Sequence, residues 1–396
     1  MSAPLAGLRI VDLTRLLPGP AVTMHLADFG AEVIKVEDTA EGDYLRGFPP
    51  QVTAADGAMA HPSFLALNRG KRSMRLNLKH PAARDALLRL LDASDALIES
   101  FRPGVLARLG LGWDLLHARN PRLVLCSLSG YGQHGPMAQK AGHDLNYIAL
   151  AGVLDQIRAQ GQPAIPNLQL GDVLGGTLSA LSTLLVALLG ARRTGAGTWV
   201  DVAMTDGLLA HHVFPYAELD AGRTPRAGHT LLTGAVACYR VYETADHRHL
   251  AVGALELKFW QAFCDAAGLP ELKPRHWSLG EAPDSAAACD TIAQVAARIA
   301  TRPLAQWESE FAAVDCCVTP VLTPSEALAH PQAAVRGLVH RDGHATWVGP
   351  LAALGTHRPA PAPAARAGAH TRAVLAELGF DDAQIDALLR EGAAAD

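Results

Sequence analysis

Apolar residues change their spacing repeatedly along this chain, and the changes predict alternating strands and helices. Residues 8–13 form a short apolar run of strand length. Residues 14–20 follow as a loop broken by Pro18-Gly19-Pro20, and residues 21–29 have helical spacing, with Gly30 where a helix would stop. A second strand falls on residues 32–36. The pattern then continues with a strand at 74–78, a helix at 82–91, and strands at 96–98 and 123–128, the last closed by Ser129-Gly130-Tyr131-Gly132. This alternation argues for an α/β class with a parallel sheet covered by helices.

A long apolar helix starts near residue 177 and ends in Arg192-Arg193-Thr194-Gly195, a cationic last turn followed by glycine. Its apolar stretch, 178–189, is interrupted by Ser179, Ser182 and Thr183. That is shorter than the roughly 20 residues a bilayer requires, so it reads as a buried helix. A strand at 198–202 comes next. Glycines, Pro225 and charges gather in 218–235, which reads as a linker, and 236–320 reads as a smaller α/β unit. Residues 356–370, rich in Pro and Ala, read as an extended connector. Two helices end the chain: 371–378, stopped at Gly379, and 383–390, capped by Asp381.

Composition narrows the function. With 396 residues, 49% of them hydrophobic, the chain can bury the core of two domains or one large one. Its 34 basic and 39 acidic residues leave a net charge of -5, which excludes a nucleic-acid coat, and 5% aromatics gives little for base stacking. Cys126, Cys238, Cys264, Cys289, Cys316 and Cys317 show no C-x-x-C spacing and read as reduced, mostly buried thiols. No basic stretch followed by an apolar run opens the chain, so no secretory signal is read. The expectation is a cytoplasmic protein with no nucleic-acid and no membrane partner.

A first βαβ unit with Glu37 at the end of its second strand invites a dinucleotide-binding reading. That chemistry needs glycines at the first turn, so that a pyrophosphate can reach backbone N–H groups. Here the turn is Thr14-Arg15-Leu16-Leu17-Pro18-Gly19-Pro20, with no G-x-G-x-x-G and two prolines that lack N–H groups. Dinucleotide binding there is a minor alternative.

An ordered series of segments carries a different signal. Pro4-Leu5-Ala6-Gly7-Leu8-Arg9-Ile10-Val11-Asp12 is followed by Pro18-Gly19-Pro20 and by Leu26-Ala27-Asp28-Phe29-Gly30-Ala31-Glu32-Val33-Ile34-Lys35-Val36-Glu37. Residues 68–79, Phe101-Arg102-Pro103-Gly104, Leu109-Gly110, Ser129-Gly130-Tyr131-Gly132, Gly171-Asp172, Arg193-Thr194-Gly195-Ala196-Gly197 and Leu378-Gly379-Phe380 continue it in order. Together they resemble the family III CoA-transferase superfamily, which includes the α-methylacyl-CoA racemases, over nearly the whole chain.

The resemblance implies a Rossmann-like parallel-sheet large domain from residues 1–217 and 321–396, a smaller α/β domain at 236–320, and an interlocked homodimer. It also implies an acyl-CoA substrate, with coenzyme A carried as part of the substrate and no separate cofactor. Residues matching the family's CoA contacts are Leu16, Leu76, Lys79, Ser100, Phe101, Arg102 and Arg108. Cations at the mouth suit the 3′-phosphate and pyrophosphate of CoA. One departure stands out: members often carry Arg just after the Lys-Val-Glu strand end, where this chain has Asp38, and nearby Arg46 is a substitute.

Read alone, Asp172 before a long helix is an N-cap, and His143 at a helix start is structural. The resemblance changes both readings. In the family's transferases the matching Asp is the nucleophile that attacks the thioester; in its racemases it is one of two opposed bases. Gly142-His143-Asp144-Leu145-Asn146-Tyr147 resembles the racemase segment that supplies the second base, and Asp144 either orients His143 or favours the helix N-terminus. Val252-Gly253-Ala254-Leu255-Glu256 resembles the segment whose Glu reaches that His across the dimer; otherwise Glu256 is a surface acid after a strand. Many transferases carry a run of glycines in the small domain, whereas residues 226–239 contain only Gly228 and Gly234. His211-His212 and His247-Arg248-His249 read as packing or turn residues, and no metal is expected. The expectation is inversion of the α-carbon of a 2-methylacyl-CoA by His143 and Asp172, with Glu256 as a third site residue. CoA transfer through Asp172 remains the alternative.

Overall fold

The computed structural model describes residues 3–341, 345–352 and 362–396. They group into two compact units, one of Met1–Leu154, Ile165–His211 and Pro331–Asp396, the other of Asp155–Ala164 and His212–His330. These limits differ from the expected ones. Val213–Asp220 is a helix that opens the second unit where a linker was read from residue 218. Residues 155–164, a hairpin of Arg158–Ala159 with Gln162–Pro163, group with that unit too. The first unit resumes at Pro331 rather than at 321. Of the expected connector, residues 356–361 lie outside the described residues.

Six parallel strands form the sheet of the first unit: β1 (Arg9–Asp12), β2 (Glu32–Glu37), β3 (Arg72–Leu76), β4 (Ala96–Glu99), β5 (Val124–Ser129) and β6 (Trp199–Ala203). Their order is β6-β5-β4-β1-β2-β3, and Ala394–Ala395 adds antiparallel beyond β3. Both faces of the central strands are covered, which is why β1, β4 and β5 are mostly apolar and buried. Ile10 of β1 packs into one core with Val33, Ile98 and Leu128, while its neighbour Val11 packs into the other with Ile34, Met74 and Leu97. The order reverses between β1 and β4, and such a switch point opens a crevice beyond the strands' carboxyl ends.

Helix α1 (Pro18–Asp28) follows β1 and begins earlier than expected. Pro18-Gly19-Pro20 is its first turn rather than a break, because proline at the first helical positions loses no hydrogen bond that the helix would have made. Helix α2 (Pro81–Asp92) covers the other face with Leu87, Leu90 and Leu91, beside Val374 and Ile385 of the closing helices. Asp381 caps the last of these, its carboxylate accepting the Gln384 N–H at 2.8 Å.

The long helix begins at residue 171, earlier than expected, and it buries only one face. It runs from a π-helical opening, Gly171–Leu178, straight into α-helical Ser179–Thr194. Among the described residues it is the one helix long and apolar enough to cross a membrane by length and composition, with 24 residues and a mean hydropathy of 1.9 over its most apolar window. Ala180, Leu184, Leu188 and Ala191 pack on the sheet, while Leu185, Val186 and Leu189 are exposed.

In the second unit, Tyr239–Glu243, His249–Gly253 and Val318–Pro320 make an antiparallel sheet. Helices Leu257–Ala267, Ala286–Ile299 and Leu304–Phe311 cover it through a core of Trp260, Phe263, Trp307 and Phe311. The rings stack in series, Trp260 on Phe263 at 5.4 Å and Phe263 on Phe311 at 5.7 Å between centroids.

Candidate active site

Beyond β1 the chain turns into α1 through residues 13–17, and a buried charge cluster holds that turn. Asp12, fully buried at the strand end, accepts hydrogen bonds from the Thr14 N–H (2.8 Å), the Thr14 hydroxyl (2.5 Å), the Thr23 hydroxyl (2.6 Å) and Lys71 Nζ (3.2 Å). Burial alone would raise its pKa, but Lys71, Lys35 and the two hydroxyls bring it down to about 2. Burial lowers Lys71 to about 7, against the opposing pull of Asp12. Lys35 donates to the Thr14 carbonyl at 2.9 Å and pairs with Asp43 at 3.0 Å. Asp43 in turn accepts the Leu16 N–H at 3.2 Å. Leu16 sits in the left-handed region at φ 63, a conformation a non-glycine residue keeps only when its surroundings impose it.

Above this turn lies a cavity of about 550 Å³. Its wall brings together Leu16, Ser100, Phe101, Arg102, His143 and Asp172, six of the residues singled out from the sequence. A second cavity of about 600 Å³ holds Leu76 and Lys79, and Leu13, Arg15 and Phe101 line both. Arg108 is exposed at the end of Val105–Arg108 and belongs to neither wall. Glu256 lies in the second unit, exposed at the N-cap position of Leu257–Ala267.

Asp172 is not the N-cap: that position is Leu170, and Asp172 stands in the first turn of the π-helical opening. Its helix is held by backbone-to-backbone packing on the helix Met204–His211. A Cβ on Gly175 would lie 2.2 Å from the Met204 carbonyl oxygen, and one on Gly207 would lie 2.5 Å from that of Gly175. The Asp172 N–H donates to Asp144 Oδ1 at 3.0 Å, so Asp144 serves Asp172. Burial, and then the Asp144 charge, push the half-buried Asp172 carboxyl up to about 7. His143 starts the helix Asp144–Leu150, its N–H donating to Asn146 Oδ1 at 3.0 Å, and its side chain is exposed. Tyr147, one turn on, donates to the Gly142 carbonyl at 2.5 Å and meets Tyr131 edge-on at 5.2 Å. Burial, then the nearby Asp172, raises the Tyr147 hydroxyl to about 12, so it stays a hydrogen-bond donor.

The Ser100–Phe101 wall rests on another buried acid. Glu99 accepts the Phe101 N–H at 2.7 Å, and burial pushes it up to about 7 even though Ser127 and that N–H favour its charge.

Sequence reasoning missed Arg15, Tyr131, Tyr147 and Lys140, all of which line the first cavity. A cation in the turn that a dinucleotide site would fill with glycine was the available signal for Arg15. Arg46 does not stand in for the family's arginine. Its guanidinium is committed to Glu37, at 2.7 and 2.9 Å, and it lies over the Phe64 ring. Arg15 is the cation beside Asp38, at 2.5 Å.

A doubly wound sheet with paired cavities at its switch point, one carrying a near-neutral carboxyl and the other a lysine, defines a ligand-handling α/β protein. The chain belongs to CoA-transferase family III, whose profile matches residues 5–371. It is 35% identical to human alpha-methylacyl-CoA racemase over 388 residues, 96% of this chain and 95% of the relative. It is 30% identical to mouse succinyl-CoA:glutarate CoA-transferase, over 98% of this chain and 90% of that one. A solved structure of a CAIB/BAIF family protein from Brucella suis superposes with a TM-score of 0.82 at 27% identity, covering 96% of this chain and all of its own.

Proposed function

We propose that this protein is an acyl-CoA epimerase that inverts the α-carbon of 2-methylacyl-CoA thioesters. The observation that carries the reading is one cavity walled by both His143 and Asp172, with the Asp172 carboxyl poised near neutrality. In one direction neutral His143 takes the α-proton. The C–H electron pair passes into an enolate whose negative charge rests on the thioester oxygen. Protonated Asp172 then returns a proton to the opposite face and is left as the carboxylate. The reverse direction exchanges the roles. An acid–base group works best when its pKa lies near the working pH, which is where burial and Asp144 put Asp172.

The acyl-CoA thioester lies with its reacting end in the first cavity and its nucleotide end in the second, toward Lys79. The reading includes a homodimer, supported by Val186 at 72% and Leu189 at 61% exposure on an otherwise apolar helix. Glu256 of a partner copy then supports His143.

The transferase name of one close relative, and Asp172 in the same cavity, favour a second reading in which the Asp172 carboxylate attacks the thioester. A carboxyl near 7 is about half ionised at neutral pH and can serve either reaction, so what favours proton transfer is His143 in the same wall, which attack by Asp172 does not need. The test is incubation with (R)-2-methylacyl-CoA in D2O. Deuterium should enter the α-carbon without any added acid, and Asp172 should give no hydroxylamine-sensitive adduct. Exchange that requires an acceptor acid, with a trapped adduct on Asp172, would replace this reading with the second.

A further inference from the structure

Arg15 occupies a place that neither the expected CoA contacts nor the proposed chemistry uses. It is one of three residues, with Leu13 and Phe101, that line both cavities, so it stands on the divide between them. The other two are apolar. A ligand that spans both cavities passes this divide, and Arg15 is the charged group it meets there.

The charges around the second cavity make this position decisive. Its wall holds the acids Glu37, Asp38 and Glu41 against Lys79 and Arg15. Glu37 is answered by Arg46, which does not line the cavity. Asp38 is answered by Arg15 and by backbone N–H groups, so Glu41 remains, and an anion entering here depends on Lys79 and Arg15 to face it.

Asp38, the residue that departs from the family pattern, is built to aim Arg15. Its Oδ1 accepts three backbone N–H groups, from Ala40 (2.8 Å), Glu41 (2.9 Å) and Gly42 (3.1 Å). That fixes the carboxylate, and the free oxygen, Oδ2, accepts one N–H from Arg15 Nη2 at 2.5 Å. Among the described residues the hydrogen bonds of the Arg15 guanidinium go to Asp38 alone, which leaves the rest of its donor fork for a ligand. A guanidinium presented this way suits the paired oxygens of a phosphoanhydride better than an ammonium would.

We propose that Arg15 binds the diphosphate of the CoA moiety where it crosses between the cavities, with Asp38 as its positioning residue. This rests on the acyl-CoA reading above and adds a recognition residue to it.

Calorimetric titration of the full-length protein with CoA, 3′-dephospho-CoA and pantetheine tests it. Arg15→Gln should weaken CoA and 3′-dephospho-CoA alike, by about ten- to a hundredfold, the scale of one charge-assisted contact, and leave pantetheine unchanged. Arg15→Lys should recover part of the loss. Asp38→Asn should weaken the same two ligands by a smaller factor, because the fork is then less well aimed. The ion pair is about one third exposed at both ends, 38% and 34%, so the melting temperatures of these variants should stay close to wild type. Unchanged CoA affinity in Arg15→Gln, an equal loss for pantetheine, or a loss confined to CoA and absent for 3′-dephospho-CoA would each overturn the assignment. Wild-type protein that binds none of the CoA ligands would instead overturn the acyl-CoA reading, and this assignment with it.

Discussion

Asp144→Asn removes one charge from the site and keeps its shape, so it tests how Asp172 is tuned. The substituted amide oxygen can still accept the Asp172 N–H that Asp144 Oδ1 accepts at 3.0 Å. What is lost is the like charge beside Asp172. The Asp172 carboxyl is displaced from 3.8 to about 7, with burial as the larger cause and Asp144 as the second. The charge therefore accounts for less than half of the displacement, so for no more than about 1.5 pH units or ~2 kcal/mol. Initial rates of inversion, followed by chiral chromatography across pH 5 to 9, give kcat/KM and with it the titration of the free enzyme. In the direction where the Asp172 carboxylate takes the proton, activity should rise with pH through a midpoint near 7 in the wild type and at a lower pH in the variant, by no more than about 1.5 units. In the opposite direction, where Asp172 must be protonated, the fall in activity should move the same way. A midpoint that stays in place or moves upward would refute the tuning argument, since removing a negative neighbour can only ease ionisation.

Three further outcomes follow from the same geometry. With its pKa pushed up to about 7, Asp172 binds its proton more tightly folded than unfolded, so stability present at acid pH is lost as pH rises from the ordinary carboxylate range through 7. Asp172→Asn should thus be more stable than wild type at pH 8, by about 2 kcal/mol in urea unfolding, with no difference near pH 4; a wild type that is the more stable at pH 8 contradicts this. His143→Ala should abolish inversion and leave CoA affinity unchanged, and near-normal inversion would end the two-base assignment. Lys71→Met should cost about 3 kcal/mol, because it leaves the fully buried Asp12 carboxylate without the lysine that donates to it; a loss below about 1 kcal/mol by chemical denaturation would show that Lys35 suffices.

Local chemistry made much of the fold legible. The central strands of the large sheet are largely apolar because both of their faces are buried, so 8–13, 32–36 and 96–98 stood out without any knowledge of their partners. Asp381 could be placed as a cap because capping is settled within four residues. The readings that changed involve contacts between residues far apart in the chain. Pro18-Gly19-Pro20 looks like a break until the buried turn before it shows that a helix starts there. The long helix reads as starting near residue 177 because Gly175 and Gly176 weaken its pattern, and only the close approach of the Met204 backbone to Gly175, and of the Pro18 and Met204 side chains to Gly176, accounts for them.

The site divides in the same way. Candidate residues could be named from the order of motifs, since His143, Asp172, Ser100, Phe101 and Arg102 lie in segments with a recognisable pattern. That they share one wall, while Lys79 lies in the adjoining cavity, is a consequence of strand order, which brings β1 between β2 and β4. Residue type alone said that Asp172 could carry a proton. Its displacement toward neutrality depends on burial and on Asp144, 28 positions away in the chain. Arg46 and Arg15 were both cations near the expected phosphate path. Which one is committed and which one faces the cavities is decided by the carboxylates each meets, Glu37 and Asp38, because a charge is assigned its role by its neighbours in space.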